Sequence, residues 1–239
     1  MSSQKPAIVL VQSSFQTTLV YEALCTKLQA LGYTVALPPL PSCSDVENED
    51  FPTRALIDDA AVITRSVKAF VEGGKTVVVV MHSHGGIVGS EAIPETLSYA
   101  ARHAKGQAGR KGKTVLETFG ESPNNDFKED GRFFLRNGAL TIYSDLAPAV
   151  AALWESRLIA QSDAVQTNPV TRAAYEYIPS TYLICEEDQA VPVQIQEMFA
   201  GMAKARVERC DAGHSPMLSR LEVLVEKITT AVEGAVAAV

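Results

Sequence analysis

Two short runs of apolar residues constrain the fold of this chain more than any other sequence feature. Ala7–Val11 (AIVLV) and Val77–Met81 (VVVVM) contain no alternating polar residues, a pattern typical of strands buried on both faces of a parallel sheet. A segment with apolar residues at helical spacing follows each run. This alternation of strand and helix predicts an α/β protein with a mostly parallel, doubly wound sheet.

The same patterns place the remaining elements along the chain. Apolar residues at spacings of three and four predict helices at residues 20–31, 54–71 and 85–104, the last interrupted at Pro94. Further strands are predicted at residues 33–37, 181–185 and 205–210, and further helices at residues 145–158, 168–175, 192–202 and 215–228. We interpret residues 1–239 as one domain, since this length suits a single sizeable core.

Composition excludes several classes of protein. The chain has 28 acidic and 21 basic residues, a formal charge of −7, which disfavours general binding to phosphate backbones. Its four cysteines stand far apart with no C-x-x-C pair, which argues against a disulfide framework or a zinc site. No apolar run is long enough for a membrane span. We expect a cytoplasmic protein without nucleic-acid or membrane partners.

Three polar residues follow predicted strands in an order that indicates catalysis. Ser83 lies in the turn between the strand ending at Met81 and the next helix, Asp188 follows the strand at residues 181–185, and His214 precedes the last helix. A serine hydroxyl needs an adjacent base, a histidine can take and return its proton, and a carboxylate can orient the imidazole. The order Ser, Asp, His is that of an α/β-hydrolase triad.

The sequence resembles the α/β-hydrolase superfamily, and within it the plant methyl-esterase and hydroxynitrile-lyase-like branch. The resemblance covers residues 7–228. Its motifs are the acid-bearing segment Tyr182–Asp188, followed by Val191-Pro192, and the histidine loop Gly213–Leu218.

This resemblance implies a role for each site residue. Ser83 would be the nucleophile, Asp188 the orienting acid and His214 the base, while the backbone N–H groups of Ser14 and His84 would form the oxyanion hole. It also implies a small helical cap at residues 120–178 and chemistry that needs neither cofactor nor metal.

The sequence departs from the family pattern at three places. Met81 stands where the motif G-x-S-x-G has its first glycine, so a large side chain must find room in a tight turn. Gln12-Ser13 replaces the usual His-Gly after the first strand, which removes backbone freedom where a donor must be aimed. The third departure is a strand that the family has between the serine strand and the acid strand, for which residues 114–119 are the only candidate.

The weak strand at residues 114–119 bears directly on activity. Neighbouring strands lie about 4.8 Å apart, whereas a nucleophile–base hydrogen bond requires about 2.6–3.2 Å. A missing strand would therefore separate Ser83 from His214 unless the sheet rearranged or a partner chain intervened.

Three functions remain open from the sequence. The first is a serine hydrolase that cleaves a small, fairly apolar carboxylic ester, lactone or thioester through an acyl-enzyme. The second is a carbon–carbon lyase of the hydroxynitrile-lyase type, in which Ser83 and His214 move a proton without acylation. The third is a non-catalytic binding protein on the same scaffold, since fold alone does not fix function. In each case the expected partner is a small molecule, and the oligomeric state, monomer or homodimer, is left open.

Overall fold

Strand and helix alternate along the chain as the apolar runs predict. The computed structural model describes residues 5–98, 114, 116–117 and 121–237. The strands are β1 (Ala7–Val11), β2 (Thr34–Ala36), β3 (Val77–Met81), β4 (Asn125–Phe127), β5 (Arg132–Leu135), β6 (Gln161–Ser162), β7 (Thr181–Cys185) and β8 (Arg206–Cys210). The helices are α1 (Glu22–Ala30), α2 (Leu56–Glu72), α3 (Gly85–Ala92), α4 (Pro148–Glu155), α5 (Ala164–Thr167), α6 (Val193–Met202), α7 (Pro216–Ser219) and α8 (Leu221–Ala237).

Contacts within the chain define two units. Unit 1 comprises residues 1–18, 33–136 and 159–178, and unit 2 comprises residues 19–32, 137–158 and 179–239. Among the described residues, no helix is long and apolar enough to cross a membrane.

Unit 1 is built around β1, the central strand of a three-stranded parallel sheet. The strand order is β2-β1-β3, and Ala7 is in register with Thr34 on one side and with Val77 on the other. Every residue of β1 is at most 2% exposed, because a neighbouring strand flanks each edge and helices α2 and α3 pack against it. The uninterrupted apolar composition of this strand therefore has a direct structural cause.

Helix α2 closes the core of unit 1. Its apolar stripe includes Ile63 and Val67, which belong to one core cluster with Val9, Val11 and Val88. Full burial of an isoleucine such as Ile63, which has no exposed surface, stabilises a fold by about 2–3 kcal/mol. Helix α2 thus anchors β1 at the strand end where the site begins.

A charged side chain is also buried in unit 1. Asp59, on α2, is completely buried, and its carboxylate accepts hydrogen bonds from the backbone N–H and the hydroxyl of Ser42 at 2.9 and 2.6 Å. Gln161 in turn donates to the Ser42 hydroxyl at 3.1 Å. These bonds offset the cost of removing the carboxylate from water, and they join α2, β6 and the turn around Ser42.

Unit 2 carries the second parallel pair of strands. Strands β7 and β8 pair in register from Thr181↔Arg206 to Cys185↔Cys210. Helix α6 packs against β7, and α1 packs against α8. Both strands end at the same edge, so the loops that follow Cys185 and Cys210 begin side by side.

Three predictions about the elements require correction. Helix α3 ends at Ala92, before Pro94, and the part of the predicted helix beyond residue 98 lies outside the described residues. The helix predicted at residues 168–175 is wrong, since only Ala174–Glu176 form a single 3-10 turn there. The region predicted as a helical cap, residues 120–178, contains an antiparallel sheet of order β4-β5-β6 besides α4 and α5.

The strand predicted at residues 114–119 is not supported by the residues of that segment which the structure describes. Residues 115 and 118–119 lie outside the description, whereas Leu116 and Glu117 are helical. Thr114 N donates to the Glu117 carboxylate at 2.9 Å, and Glu117 N donates to the Thr114 hydroxyl at 3.0 Å. This reciprocal pair is a capping box, which starts a helix. In the described parts of the chain, β3 pairs with β1 alone and β7 pairs with β8 alone.

We predict that Ser42→Ala lowers the free energy of unfolding by about 2–3 kcal/mol, because it leaves the buried Asp59 carboxylate and the Gln161 amide short of partners. Urea unfolding followed by circular dichroism measures this change. The matched control is Ser66→Ala, whose hydroxyl bonds only the Val62 carbonyl of its own helix, and for which we expect less than about 0.5 kcal/mol. Equal losses in the two variants would contradict the role given to the Ser42–Asp59 bonds.

Candidate active site

Ser83 occupies a strained turn between β3 and α3. Its φ is +54°, in the left-handed region that costs a non-glycine residue about 1–2 kcal/mol. The turn is closed by the Gly85 N–H, which donates to the His82 carbonyl at 2.9 Å, and it is tied to β1 by the His82 N–H, which donates to the Val11 carbonyl at 3.0 Å. The side chain of Ser83 is exposed. This is the geometry of a nucleophile elbow.

Gly85 permits the close approach of this turn to β1. A Cβ atom at this position would lie 2.4 Å from the Val11 carbonyl oxygen and 2.7 Å from that of Gln12. No side chain fits such a contact with backbone atoms. The glycine two residues after Ser83 is therefore required by packing.

The room for Met81 comes from Gly89. A Cβ on Gly89 would lie 2.6 Å from the Met81 sulfur and 2.8 Å from its terminal methyl carbon, so the methionine side chain lies against the bare backbone of α3. Met81 itself is not among the residues with positive φ. Gly89, one turn into α3, thus leaves room for the Met81 side chain, and the Met81 backbone carries no left-handed strain.

The turn after β1 has its left-handed residue at Phe15, where φ is +62°. Two contacts hold this conformation: the Ile159 N–H donates to the Phe15 carbonyl at 2.9 Å, and the Phe15 ring packs edge-on against Phe133 with centroids 5.1 Å apart. The Gln12 side chain donates to the Gln16 carbonyl at 2.8 Å and spans the turn. Ser13 stands where the family pattern has a glycine. The left-handed backbone of this turn lies two residues later, at Phe15, next to Ser14.

His84 has a buried side chain. Its Nε2 lies 3.8 Å from the Asp59 carboxylate, too far for a hydrogen bond, and the side chain is 6% exposed. The residue is also the N-cap of α3, where backbone N–H groups have no partner within the helix. A backbone role in binding an anion is compatible with this position, because the helix dipole adds positive charge there.

His214 and Asp188 form a buried pair in unit 2. The Nδ1 atom of His214 lies 2.9 Å from Asp188 Oδ2, and both side chains are 6% exposed. The other carboxylate oxygen of Asp188 accepts from the backbone N–H groups of Ala190 and Val191 at 2.7 and 2.9 Å. Asp188 is therefore fixed by its own loop while it contacts the imidazole.

The surroundings of Asp188 favour its ionised form. Burial alone would raise the pKa of the carboxyl, but the hydrogen bond and charge of His214, together with the two backbone donors, lower the pKa below its usual value. The neighbouring acids are placed differently, since Glu186 pairs with Arg209 and Glu187 is exposed. Asp188 is the carboxylate of this segment that meets the histidine.

The five candidate residues are thus divided between the two units. Ser83, His84 and Ser14 belong to unit 1, and Asp188 and His214 belong to unit 2. Among the described residues, no group of three or more His, Cys, Asp or Glu side chains could hold a metal ion.

Sequence reasoning did not assign a site role to two carboxylates, the buried Asp59 and the partly buried Asp145. The carboxylate of Asp59 lies 3.8 Å from His84 Nε2. Asp145 was expected to start a helix, yet its carboxylate contacts Gly213, directly before His214. Neither has a local sequence signature, because each meets its partner only through the tertiary fold.

Comparison with known proteins shows the family of the chain. The sequence profile of the "Alpha/beta hydrolase family" matches residues 8–227. The chain belongs to the α/β-hydrolase family. A relative from Aspergillus novofumigatus, "Alpha/beta hydrolase nvfD", is 30% identical in an alignment of 250 residues that spans 97% of this chain and 98% of that protein.

Solved structures of α/β-hydrolases share the fold. Polyneuridine aldehyde esterase matches with a TM-score of 0.70 at 17% identity, covering 95% of this chain and 99% of its own. A pyrethroid hydrolase from Sphingobium faniae matches with a TM-score of 0.68 at 19% identity, covering 95% and 97%. The predicted α/β-hydrolase fold and the resemblance to the α/β-hydrolase superfamily are confirmed.

We predict that Gly89→Ala destabilises the protein by about 1–3 kcal/mol, because the new methyl group overlaps the Met81 side chain. Met81→Ala combined with Gly89→Ala should recover part of that loss, giving a coupling energy of at least about 1 kcal/mol in a double-mutant cycle. Gly86→Ala is the matched control, since a Cβ there meets nothing within 4 Å. Additive effects of the Met81 and Gly89 changes would refute the proposed contact.

We predict that the Asp188–His214 pair stabilises the fold in a pH-dependent way. Because the pKa of Asp188 is lowered on folding, its contribution is present above the unfolded pKa of about 4 and is lost as the pH falls through the lower folded value. The stability difference between wild type and Asp188→Asn should therefore shrink as the pH falls below about 4. Glu187→Gln, at an exposed neighbour, should show no such trend in urea titrations at each pH, and a pH-independent Asp188→Asn difference would contradict the account.

Proposed function

We propose that this protein is a serine hydrolase that cleaves a small carboxylic ester, lactone or thioester through an acyl-enzyme. The observation that carries the proposal is the elbow at Ser83, an exposed serine with left-handed backbone between β3 and α3. A protein retains such strain where the position serves a function. A non-catalytic scaffold would gain stability by placing glycine there.

The proposed roles follow from the chemistry of each group. Ser83 Oγ attacks the carbonyl carbon of the substrate while its proton passes to His214 Nε2. Asp188, hydrogen-bonded to Nδ1, holds the imidazole in the tautomer with an accepting Nε2 and stabilises the imidazolium that forms. The backbone N–H groups of His84 and Ser14 bind the tetrahedral oxyanion, a contribution of about 3 kcal/mol per donor.

The cycle is completed by loss of the alcohol or thiol and by hydrolysis. The leaving group departs with the proton from His214, which leaves an acyl ester on Ser83. His214 then takes a proton from water, the resulting hydroxide attacks the acyl carbon, and the acid is released as Ser83 recovers its proton. No cofactor enters these steps.

The relatives support ester chemistry. One protein with the same fold is named an esterase, and another is named a pyrethroid hydrolase, while the 30% identical fungal relative is named a hydrolase. The buried Asp188–His214 pair supplies a base of the kind such chemistry needs. We extend the proposal to a small-molecule substrate in the cytoplasm, with no nucleic-acid or membrane partner.

We predict that the purified protein hydrolyses a short-chain p-nitrophenyl ester with a burst of p-nitrophenol, and that Ser83→Ala lowers kcat at least about 1,000-fold. The matched control is Ser90→Ala, a serine of the same α3 helix, which should retain wild-type kcat. Stopped-flow absorbance measures both the burst and the steady state. Unchanged turnover in Ser83→Ala would exclude Ser83 as the nucleophile, and folded protein without ester turnover would favour the lyase or the binding scaffold.

A further inference from the structure

A second carboxylate contacts the loop that carries His214. Asp145 Oδ2 accepts a hydrogen bond from the Gly213 N–H at 2.6 Å. The bond connects segments of unit 2 that are 68 residues apart. The N-cap of α4 is Ala147, two residues after Asp145, and the hydrogen bond of the Asp145 carboxylate goes to the histidine loop.

Gly213 is shaped to receive this carboxylate. A Cβ at Gly213 would lie 2.5 Å from Asp145 Oδ1 and 2.6 Å from its Cγ. The carboxylate therefore occupies the space that any side chain at residue 213 would need. Because Gly213 is buried, the loop has little freedom to move away, and residues 145 and 213 constrain each other.

The second oxygen of Asp145 is buried without a partner. Oδ1 accepts no hydrogen bond from the described residues, although buried polar atoms are nearly always paired. A neutral or apolar residue would avoid this cost. Stability alone does not explain a carboxylate at this position, and its other oxygen, Oδ2, binds the histidine loop at Gly213.

The His214 ring needs more than one anchor. The bond from Nδ1 to Asp188 fixes one ring atom, but the ring can still swing about that bond if its backbone shifts. A hydrogen bond to the preceding residue removes this freedom, because Gly213 N lies one peptide unit from His214. With the ring held at Nδ1 by Asp188 and the backbone held at Gly213 by Asp145, the direction of Nε2 is defined.

We propose that Asp145 is a positioning residue, which orients His214 through the Gly213 N–H. The inference rests on the proposed function in that His214 is the base of the reaction. Asp145 touches no reacting atom, so its removal should misplace Nε2 without weakening the contacts that bind substrate. A displacement of about 1 Å costs about 100-fold in rate.

Two variants at residue 145 distinguish loss of the Gly213–Asp145 hydrogen bond from a general loss of folding. Asp145→Ala removes the acceptor, and we expect kcat to fall about 10- to 100-fold with KM within about twofold. Asp145→Asn keeps an oxygen that can accept the Gly213 N–H, and we expect it to recover kcat to within about fivefold of wild type. Asp211→Ala is the matched control, because Asp211 is an acid of the same loop that is 70% exposed and pairs with Arg220.

A readout that does not depend on turnover is the ring proton of His214. In wild type, the Nδ1 proton shared with Asp188 should give a downfield NMR signal that is protected from exchange, since both side chains are 6% exposed. Asp145→Ala should broaden or shift this signal, while Asp145→Asn and Asp211→Ala should preserve it. Circular dichroism confirms that each variant is folded.

The outcomes distinguish this inference from the proposed function. Loss of the His214 signal in Asp145→Ala alone supports the positioning role, even if wild type fails to hydrolyse esters and the proposed function is rejected. An unchanged signal with unchanged kcat in folded Asp145→Ala overturns the inference while ester hydrolysis stands. Equal losses in Asp145→Ala and Asp145→Asn also overturn it, because the retained acceptor would then have no effect.

Discussion

The left-handed backbone of Ser83 depends on how tightly the turn between β3 and α3 packs against β1. A residue with a side chain holds φ of +54° only when its surroundings prevent relaxation. Here the His82 N–H is bonded to Val11, and Gly85 approaches the same carbonyl so closely that no Cβ fits. The buried β1 strand is thus the rigid support for the turn, and the apolar core around α2 holds β1 in place.

Three carboxylates with buried or partly buried side chains, Asp59, Asp145 and Asp188, form hydrogen bonds in two different ways. Asp59 and Asp188 each have both oxygens occupied, Asp59 by Ser42 and Asp188 by His214 and two backbone donors. Such saturation repays most of the desolvation cost and fixes the neighbouring backbone. Asp145 has one oxygen bonded to Gly213 and one without a partner among the described residues. Among these three carboxylates, Asp145 is the one whose hydrogen bonds do not offset the cost of burying both oxygens.

The sequence predicted the features that local patterns determine. Strands β1 and β3 lie at the predicted residues, because uninterrupted apolar runs of this length are buried as strands of a parallel sheet. Asp188 and His214 follow β7 and β8, which pair in parallel and end side by side. The apolar residues at positions 114–119 favour a strand, but the Thr114-x-x-Glu117 pair in the same segment favours a helix start, and the reciprocal bonds of that pair are present in the structure. The sheet of β4, β5 and β6 and the role of Asp145 depend on contacts between distant segments, which no local pattern encodes.

The central claim is that His214 activates Ser83, and the rate of reaction with a fluorophosphonate tests it most directly. We expect a single adduct on Ser83, identified by peptide mass spectrometry, and labelling at least about 100-fold slower in His214→Ala. Absence of an adduct on the folded wild-type protein, or labelling of His214→Ala at the wild-type rate, would contradict the claim.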